Sequence, residues 1–294
     1  MTIINRRRFL AMSASTLAVP AMAGQADVAI WRGSALGAPA SLHIVGLSQI
    51  QAQPIFDQVE AELLRLELIY SLYRPNSQIM QLNTTGVLDH PAPELLGVLS
   101  LSGALHDASD GAFDPTIQPV WQARAGLDAA NGPVGWSHLR FDTQRVVFER
   151  PGMAMTLNGI AQGAVTDQIA TLLRGMGLQN ILIDMGEVAA IGGHENGSDW
   201  QVGIADPEGQ IIQRITLRDR ALATSAPMPS FGSDMAHIFH PNGTPAVNQL
   251  VSISAPSAML ADGLSTTICM AEPSQVRSIL QLFPHAHVEK IMSF

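Results

Sequence analysis

The chain has 294 residues, of which 47% are apolar and 14% charged, so it can bury a large core and is not a disordered protein. Sixteen basic residues against 25 acidic ones give a net charge of −9, and the only lysine is Lys290. This charge balance excludes a protein that binds nucleic acid through its phosphate backbone. The single cysteine, Cys269, excludes an intrachain disulfide and a cysteine metal cluster. Its apolar neighbours favour an inert core thiol.

The first 23 residues have the pattern of a bacterial export signal. Arg6-Arg7-Arg8-Phe9-Leu10 precedes a short apolar run that ends at Ala21-Met22-Ala23, a typical cleavage site. The arginine pair followed by x-Phe-Leu resembles the twin-arginine signals of proteins exported already folded. An arginine-rich helix start is the alternative interpretation. No cysteine stands at the cleavage point and no later stretch is long enough to span a membrane. We therefore predict a signal peptide over residues 1–23 and a soluble, periplasmic domain without a lipid anchor over residues 24–294.

The rest of the chain mixes helical and strand patterns. An apolar stripe predicts a helix from Pro54 to about Tyr70, with the proline in its first turn. Further helices are predicted over 93–106, 162–176 and 275–282. Strands are predicted over 145–149, 181–183, 200–204 and 251–254. Because these elements do not alternate regularly, we expect an α+β fold forming one mixed α/β catalytic domain.

Two polar clusters in the first half of the chain are candidate ligand contacts. The first runs from Ser71 to Asn83 and carries Tyr73, whose ring could stack on a planar ligand. The second surrounds Asp114-Pro115, a rigid turn whose carboxylate and backbone NH groups could meet the edge of a ligand. An ordinary turn explains either cluster when it is taken alone.

Two more clusters suit phosphate and metal. Small residues around Gly159 precede the third predicted helix, so backbone NH groups could approach an anion there, although no dinucleotide or Walker fingerprint is present. If residues 260–267 are helical, Asp262 and Thr266 share one face and offer two oxygen ligands for Mg²⁺. Alternatively, Asp262 is a helix cap and Thr266 bonds to the backbone. His237 and His240 are spaced like metal ligands, but a zinc site is not favoured because no third His or Cys lies nearby.

Taken in order, these clusters resemble the ApbE-type FAD:protein FMN transferases. The sequences of that family resemble this chain in seven patterns: S-x-Y-x-P-x-S…N, G-x-F-D-P-T, D-L-G-G-I-A-K-G, a G-G pair at a strand end, T-S-G, H-I-x-D-P and A-D-x-L-S-T. The matching stretches are residues 71–83, 111–116, 157–167, 185–188, 224–225, 237–245 and 261–266. The resemblance covers almost the whole chain after the signal, and the ordered set is specific where each pattern alone is weak.

The resemblance implies a site for FAD and Mg²⁺. The residues it implies at the flavin nucleotide are Leu36, Tyr73, Ala112, Phe113, Asp114, Thr156, Gln162 and Ile238. Those it implies at the metal are the Gly159 carbonyl, Asp262 and Thr266, with Ser265 close by. His237 matches the histidine to which the family's catalytic role is assigned, and a histidine that titrates near neutrality suits proton transfer. The implied reaction is Mg²⁺-dependent transfer of FMN from FAD to a Thr or Ser hydroxyl of a periplasmic or membrane redox protein, with release of AMP.

Six positions depart from the family pattern. Thr156, Gln162, Ala164, Glu187, Ala226 and His240 stand where the pattern has Asp, Lys, Tyr, Gly, Gly and Asp. The loss of an aspartate and a lysine changes the polar contacts to FAD. Two other functions therefore remain open. One is a periplasmic accessory flavoprotein resembling NosX, which is associated with nitrous-oxide reductase, and the other is an FAD diphosphatase that uses water as acceptor.

The twin-arginine assignment predicts how the precursor is sorted. Replacing Arg6 and Arg7 by Lys should leave precursor in the cytoplasm, because the export receptor reads the arginine pair as an address. Cell fractionation followed by immunoblotting measures this, and Arg8→Lys, which changes only the x position, is the control. Normal periplasmic accumulation of the double variant would contradict the assignment.

Overall fold

The computed structural model describes residues 27–126, 132–194, 196–228 and 236–294, so the predicted signal peptide lies outside the described residues. The helices are α1 (Gln49–Tyr70), α2 (Gln78–Thr85), α3 (Pro93–Ala108), α4 (Gln118–Arg124), α5 (Ala161–Gly175), α6 (Ala258–Cys269) and α7 (Pro273–Leu282). The strands are β1 (Val28–Ala35), β2 (Ala38–Val45), β3 (Val87–Asp89), β4 (Leu139–Phe141), β5 (Arg145–Phe148), β6 (Ile181–Asp184), β7 (Val188–Ile191), β8 (Trp200–Ala205), β9 (Ile211–Leu217), β10 (Ala221–Ser225), β11 (Asn248–Ala255) and β12 (His287–Ser293). No helix in these ranges combines the length and the hydropathy needed to cross a membrane.

The main sheet has seven strands in the order β1-β2-β6-β7-β10-β11-β12, and all neighbours are antiparallel. A three-stranded sheet, β3-β5-β4, and the hairpin β8-β9 complete the strand pairing. Both faces of the central strands are buried. In β6, Ile181 and Ile183 join the larger hydrophobic core, whereas Leu182 joins a second core with Trp200 and Val202 of the hairpin. Two buried faces explain why this strand is apolar from Ile181 to Ile183.

Helices cover one face of this sheet and the β8-β9 hairpin covers the other. The larger core joins α1, α3, α5 and α6 to the side chains on one face of the strands. The second core lies between the hairpin and the opposite face. The predicted α+β architecture is confirmed, and all the predicted strands and helices are found with their ends shifted by a few residues.

One helical prediction needs correction, and the short helices α2 and α4 were not predicted. The first helix begins at Gln49, before the predicted proline, because Ser48 and Gln51 form a capping box. Pro54 is therefore inside the helix, on its exposed side, where water can reach the carbonyl of Ile50 that loses its partner. The sequence analysis also missed α2, which Ser77 caps at the amide of Met80 with a 3.2 Å bond.

Helices α5 and α6 cap each other. The carboxylate of Asp167, on α5, accepts hydrogen bonds from the amides of Ala258 (2.8 Å) and Met259 (3.0 Å) at the start of α6. Asp262, in the middle of α6, accepts a 3.0 Å bond from the amide of Gly163 in the first turn of α5. Asp262 therefore caps the neighbouring helix α5, whereas Ser257 caps α6. These bonds satisfy amides that a helix cannot satisfy internally.

The close approach of these helices predicts that Gly163 is required. A Cβ atom at Gly163 would lie 2.3 Å from the carbonyl oxygen of Ala258, which is backbone and cannot rotate away. Gly163→Ala should therefore lower the free energy of unfolding by about 1–3 kcal/mol, the usual cost of overpacking. Gly175→Ala is the control on the same helix, because nothing lies within 4 Å of its Cβ position. It should be neutral or stabilising. Urea unfolding compares the two, and equal effects would contradict this account of the packing.

Candidate functional site

A large cleft opens at one end of the α5-α6 pair. It encloses about 1300 Å³, part of which is continuous with solvent. The residues that the sequence analysis assigned to the site come together here from distant segments: Tyr73, Ala112, Phe113, Asp114, Thr156, Gly159, Gln162, His237, Ile238, Asp262 and Thr266 all line the cleft. Leu36 and Ser265 are not among the lining residues. Leu36 lies in the β1-β2 turn with a φ of 48° and packs against the larger core.

Tyr73 and Phe113 form an aromatic part of the cleft. Tyr73 is 56% exposed, so its ring is open to a partner, whereas Phe113 is buried. The carboxylate of Asp114 is engaged within its own loop, because it accepts bonds from the amides of Thr116 (2.8 Å) and Trp136 (3.1 Å). These hydrogen bonds fix the conformation of the loop that Asp114 contributes to the cleft.

The side chain of Asn83 is joined to the backbone of Met155 by two hydrogen bonds. Its side-chain amide donates to the carbonyl of Met155 at 2.8 Å, and its oxygen accepts from the amide of Met155 at 2.7 Å. Ser77 donates to the carbonyl of Ser71 at 2.6 Å. The polar residues of the first cluster thus hold the backbone that precedes Thr156.

One part of the cleft is lined by hydroxyl and carboxylate groups. The hydroxyls of Ser225 and Thr266 lie 3.2 Å apart, and Ser265 lies 2.7 Å from Ser225 on the side away from the cleft. Gly159 faces Thr266 so closely that a Cβ there would lie 3.0 Å from its hydroxyl oxygen. The remaining oxygen of Asp262, Oδ1, takes no part in the bond to Gly163.

This donor set fits a hard divalent cation. A carboxylate, a hydroxyl and a backbone carbonyl beside a glycine without a side chain are the oxygen ligands that Mg²⁺ takes in proteins. Asp262 is buried, and burial raises its pKa to about 7, with the charge of Asp167 acting in the same direction. A cation bound beside this carboxylate would stabilise its charged form.

Two further carboxylates lie in the turn that links β6 to β7. Burial raises the pKa of Asp184 to about 6. Burial also raises the pKa of Glu187 well above its usual range, and the charges of Asp262 and Asp184 add to that effect. Glu187 lines the cleft, whereas Asp184 is not among the lining residues. The sequence analysis recorded Glu187 only as a departure from a pattern and missed it as part of the site.

Gln162 presents an unsatisfied donor to the cleft. Gln162 is only 7% exposed, and its Nε2 atom has no hydrogen-bond partner in the described part of the chain. A Cβ at Gly186, whose φ is +105°, would lie 2.0 Å from that nitrogen. Only glycine suits Gly186, because both its backbone conformation and this contact exclude a side chain.

His237 differs from expectation in its titration. Its amide donates to the carbonyl of Pro227 at 2.9 Å, which fixes the backbone beside the cleft. Burial lowers the pKa of its imidazole to about 4, because it disfavours the charged form. The expected titration near neutrality is therefore wrong, and the imidazole is neutral through the physiological range. A neutral imidazole can accept a proton at one ring nitrogen and donates a hydrogen bond from the other.

The remaining predictions concern His240 and Cys269. The Nδ1 atom of His240 accepts a 3.2 Å bond from the amide of Asn242, which is a local turn contact. Within the described ranges, no group of three or more His, Cys, Asp or Glu residues is arranged to hold a metal ion. Cys269 is fully buried and burial raises its pKa, which agrees with an inert core thiol.

Several apolar lining residues carried no sequence signal. Trp121, Met228 and Met270 line the cleft outside the stretches that match the family pattern, and Phe239 lines it at an unspecified position of the matching stretch 237–245. Arg124 lies over the ring of Phe239, 3.9 Å from its centroid, and donates to the carbonyl of Gly243. This contact ties α4 to the loop that carries His237.

The fold and the cleft define a mixed α/β protein with an oxygen-lined, partly aromatic cleft suited to a nucleotide and a divalent cation. The sequence profile of the ApbE family matches residues 36–291, and the chain belongs to that family. It is 23% identical over 300 residues to a FAD:protein FMN transferase of Klebsiella pneumoniae (strain 342), covering 92% of this chain and 85% of the relative. The predicted family is confirmed, and the predicted transferase function is supported by such relatives.

Solved structures share the fold. The flavin transferase ApbE from Vibrio cholerae superposes with a TM-score of 0.75 at 22% identity, covering 86% of this chain and 90% of that one. The apo form of the Pseudomonas stutzeri flavinyl transferase ApbE superposes with a TM-score of 0.76 at 23% identity, covering 91% and 92%. At these identities the likeness establishes the architecture.

The environment of His237 predicts an abnormal titration. Its imidazole should stay neutral from pH 8 to pH 5 and gain a proton only near pH 4, because a buried cation is disfavoured. Nitrogen-15 NMR of histidine-labelled protein follows the ring nitrogens, and the His237→Gln variant assigns the signal by its loss. A midpoint near pH 6.5 for that signal would contradict the burial argument.

Proposed function

We propose that this chain is an FAD:protein FMN transferase that uses Mg²⁺ and releases AMP. The observation that carries the proposal is the convergence in one cleft of His237 with the oxygen donors Asp262 and Thr266, which are distant from it in sequence. Membership of the ApbE family supports the same assignment. FAD is then the substrate, and the acceptor is a Thr or Ser hydroxyl of another protein.

The proposed reaction exchanges one oxygen for another at phosphorus. The acceptor hydroxyl oxygen forms a bond to the phosphorus on the FMN side of the diphosphate, and the bond from that phosphorus to the bridging oxygen breaks. AMP leaves with the bridging oxygen. The proton of the acceptor hydroxyl passes to the imidazole of His237, whose neutral form has a ring nitrogen that can accept it.

Other residues bind and orient the substrate. Tyr73 and Phe113 would hold the flavin ring by stacking and contact. The amide of Gln162, which has no partner in the described part of the chain, would donate to a phosphate oxygen. A Mg²⁺ ion held by Asp262, Thr266 and the Gly159 carbonyl would neutralise negative charge on the diphosphate.

We also propose that the protein works outside the cytoplasm. The twin-arginine pattern of residues 1–23 supports export of the folded domain over residues 24–294, and the acceptor would then be a periplasmic or membrane redox protein.

A single incubation tests the proposed reaction against its alternatives. The purified protein is mixed with FAD, MgCl₂ and a threonine-bearing acceptor domain, and an acceptor with that threonine changed to alanine is the control. Covalent flavin on the acceptor together with AMP supports the transferase. FMN and AMP without covalent flavin would indicate an FAD diphosphatase instead. Bound but unchanged FAD would indicate an accessory flavoprotein resembling NosX.

His237 and Tyr73 should affect different kinetic constants. His237→Ala should lower kcat for FMN transfer by roughly 10²–10⁴-fold, the usual contribution of a positioned acid–base group, with little change in FAD affinity. Tyr73→Ala should weaken FAD binding by about 1–3 kcal/mol for a lost stacking partner, with kcat nearly unchanged. Flavin fluorescence titration and AMP release measure the two quantities. If His237→Ala transfers normally at saturating FAD, the histidine is a binding residue and another base accepts the proton.

A further inference from the structure

Glu187 introduces a second carboxylate on the metal side of the cleft. It stands where the family pattern has glycine, and its side chain is buried in the turn that follows β6. It lines the same cleft as Gly159, Asp262 and Thr266. Its Oε2 atom accepts a long bond, 3.3 Å, from the amide of Thr224, which stabilises its charge only weakly.

The charged groups that line the cleft favour a bound cation. The described residues that line it include three acidic side chains, Asp114, Glu187 and Asp262, and neither lysine nor arginine is among them. The lysine of the family pattern is Gln162 here, whose amide is uncharged. Two buried carboxylates that repel each other, as Glu187 and Asp262 do, are stabilised by metal binding or by a shared proton.

A separate observation indicates that the same place receives an oxygen-rich ligand. The Nε2 donor of Gln162 is buried, has no partner in the described ranges and lies against Gly186, the residue before Glu187. A buried donor is costly without an acceptor, so the cleft is built for a ligand oxygen at this point. An anionic oxygen beside two carboxylates is stable only with a positive charge among them.

We propose that Glu187 is an additional ligand for the divalent cation and that, with Asp262, it lets the protein bind the cation in the absence of FAD. A site with one carboxylate depends on the diphosphate to complete it, whereas a second carboxylate raises the affinity of the protein itself for the ion. This inference rests on the proposed use of a divalent cation and deepens it. The cation would be in the cleft before the nucleotide arrives.

Cation binding to FAD-free protein tests the inference. Mn²⁺ is the probe, because its free and bound forms are distinguished by electron paramagnetic resonance, and calorimetry with Mg²⁺ repeats the measurement. Wild-type protein should bind Mn²⁺ at one site. Glu187→Gln should weaken that binding by roughly 10–100-fold, and Asp262→Asn should weaken it at least as much. Asp184→Asn is the matched control, since Asp184 is a buried carboxylate of the same turn that is not among the residues lining the cleft. It should change the affinity less than about threefold, because only a ligand acts at bonding distance.

Three results would overturn the inference. The first is that wild-type protein does not bind Mn²⁺, and the second is that Glu187→Gln binds Mn²⁺ within threefold of the wild-type affinity. The third is an equal loss of affinity in Glu187→Gln and Asp184→Asn, which would indicate a long-range effect of negative charge instead of ligation by Glu187. If Glu187 is protonated and only donates a hydrogen bond to Asp262, the affinity of Glu187→Gln for Mn²⁺ should stay within threefold of wild type, which is the second result. Glu187→Gly, which restores the family residue, repeats the test if the glutamine variant fails to fold, as checked by near-ultraviolet circular dichroism. The transfer assay is independent, so failed FMN transfer with intact Mn²⁺ binding would contradict the proposed function alone.

Discussion

The reciprocal capping of α5 and α6 is the constraint on which the site depends. Each helix uses a carboxylate from the other to satisfy its first amides, and the missing side chain of Gly163 lets the backbones approach closely enough for both bonds. Asp262 is thereby fixed by one of its oxygens while the other is left for the cleft. Thr266 lies one turn further along the same helix and is fixed with it.

This arrangement also sets the electrostatics of the cleft. The start of α5 points to the cleft and would attract an anion, but Asp262 already occupies one of its amides. The anion-binding end of the helix is thus partly neutralised by the protein's own carboxylate. Glu187 adds a second buried carboxylate, and the described lining includes neither lysine nor arginine to oppose negative charge. In the proposed reaction, a bound cation would supply the compensating charge for the diphosphate.

The same burial that crowds the carboxylates keeps His237 neutral. A low dielectric environment disfavours charge of either sign, so it raises the pKa of Asp262 and lowers that of His237. In the proposed reaction the two effects are complementary, since the carboxylate gains from a cation and the imidazole accepts a proton. Both follow from the depth of the cleft between the sheet end and the helix pair.

The sequence by itself indicated part of the secondary structure and most of the residues that line the cleft. The apolar runs and stripes predicted strands β5, β6, β8 and β11 and helices α1, α3, α5 and α7, since burial on one or two faces imposes those periods, but the other strands were not predicted. The spacing of Asp262 and Thr266 predicted their shared face, and the ordered polar clusters predicted the family. The start of α1 was missed although the Ser48 and Gln51 capping pair was visible, because the proline was taken as the stronger signal.

Only the tertiary structure decided the features that depend on contacts between distant segments. It brought Glu187 into the same cleft as Asp262, gave Trp121 and Phe239 a place in its wall, and left Leu36 packed against the core, outside the cleft lining. It turned Asp262 into the cap of another helix and moved the pKa of His237 to about 4. Spacing along the chain encodes which residues share a face of one element, but burial, charge coupling and capping between elements arise only when the chain is folded.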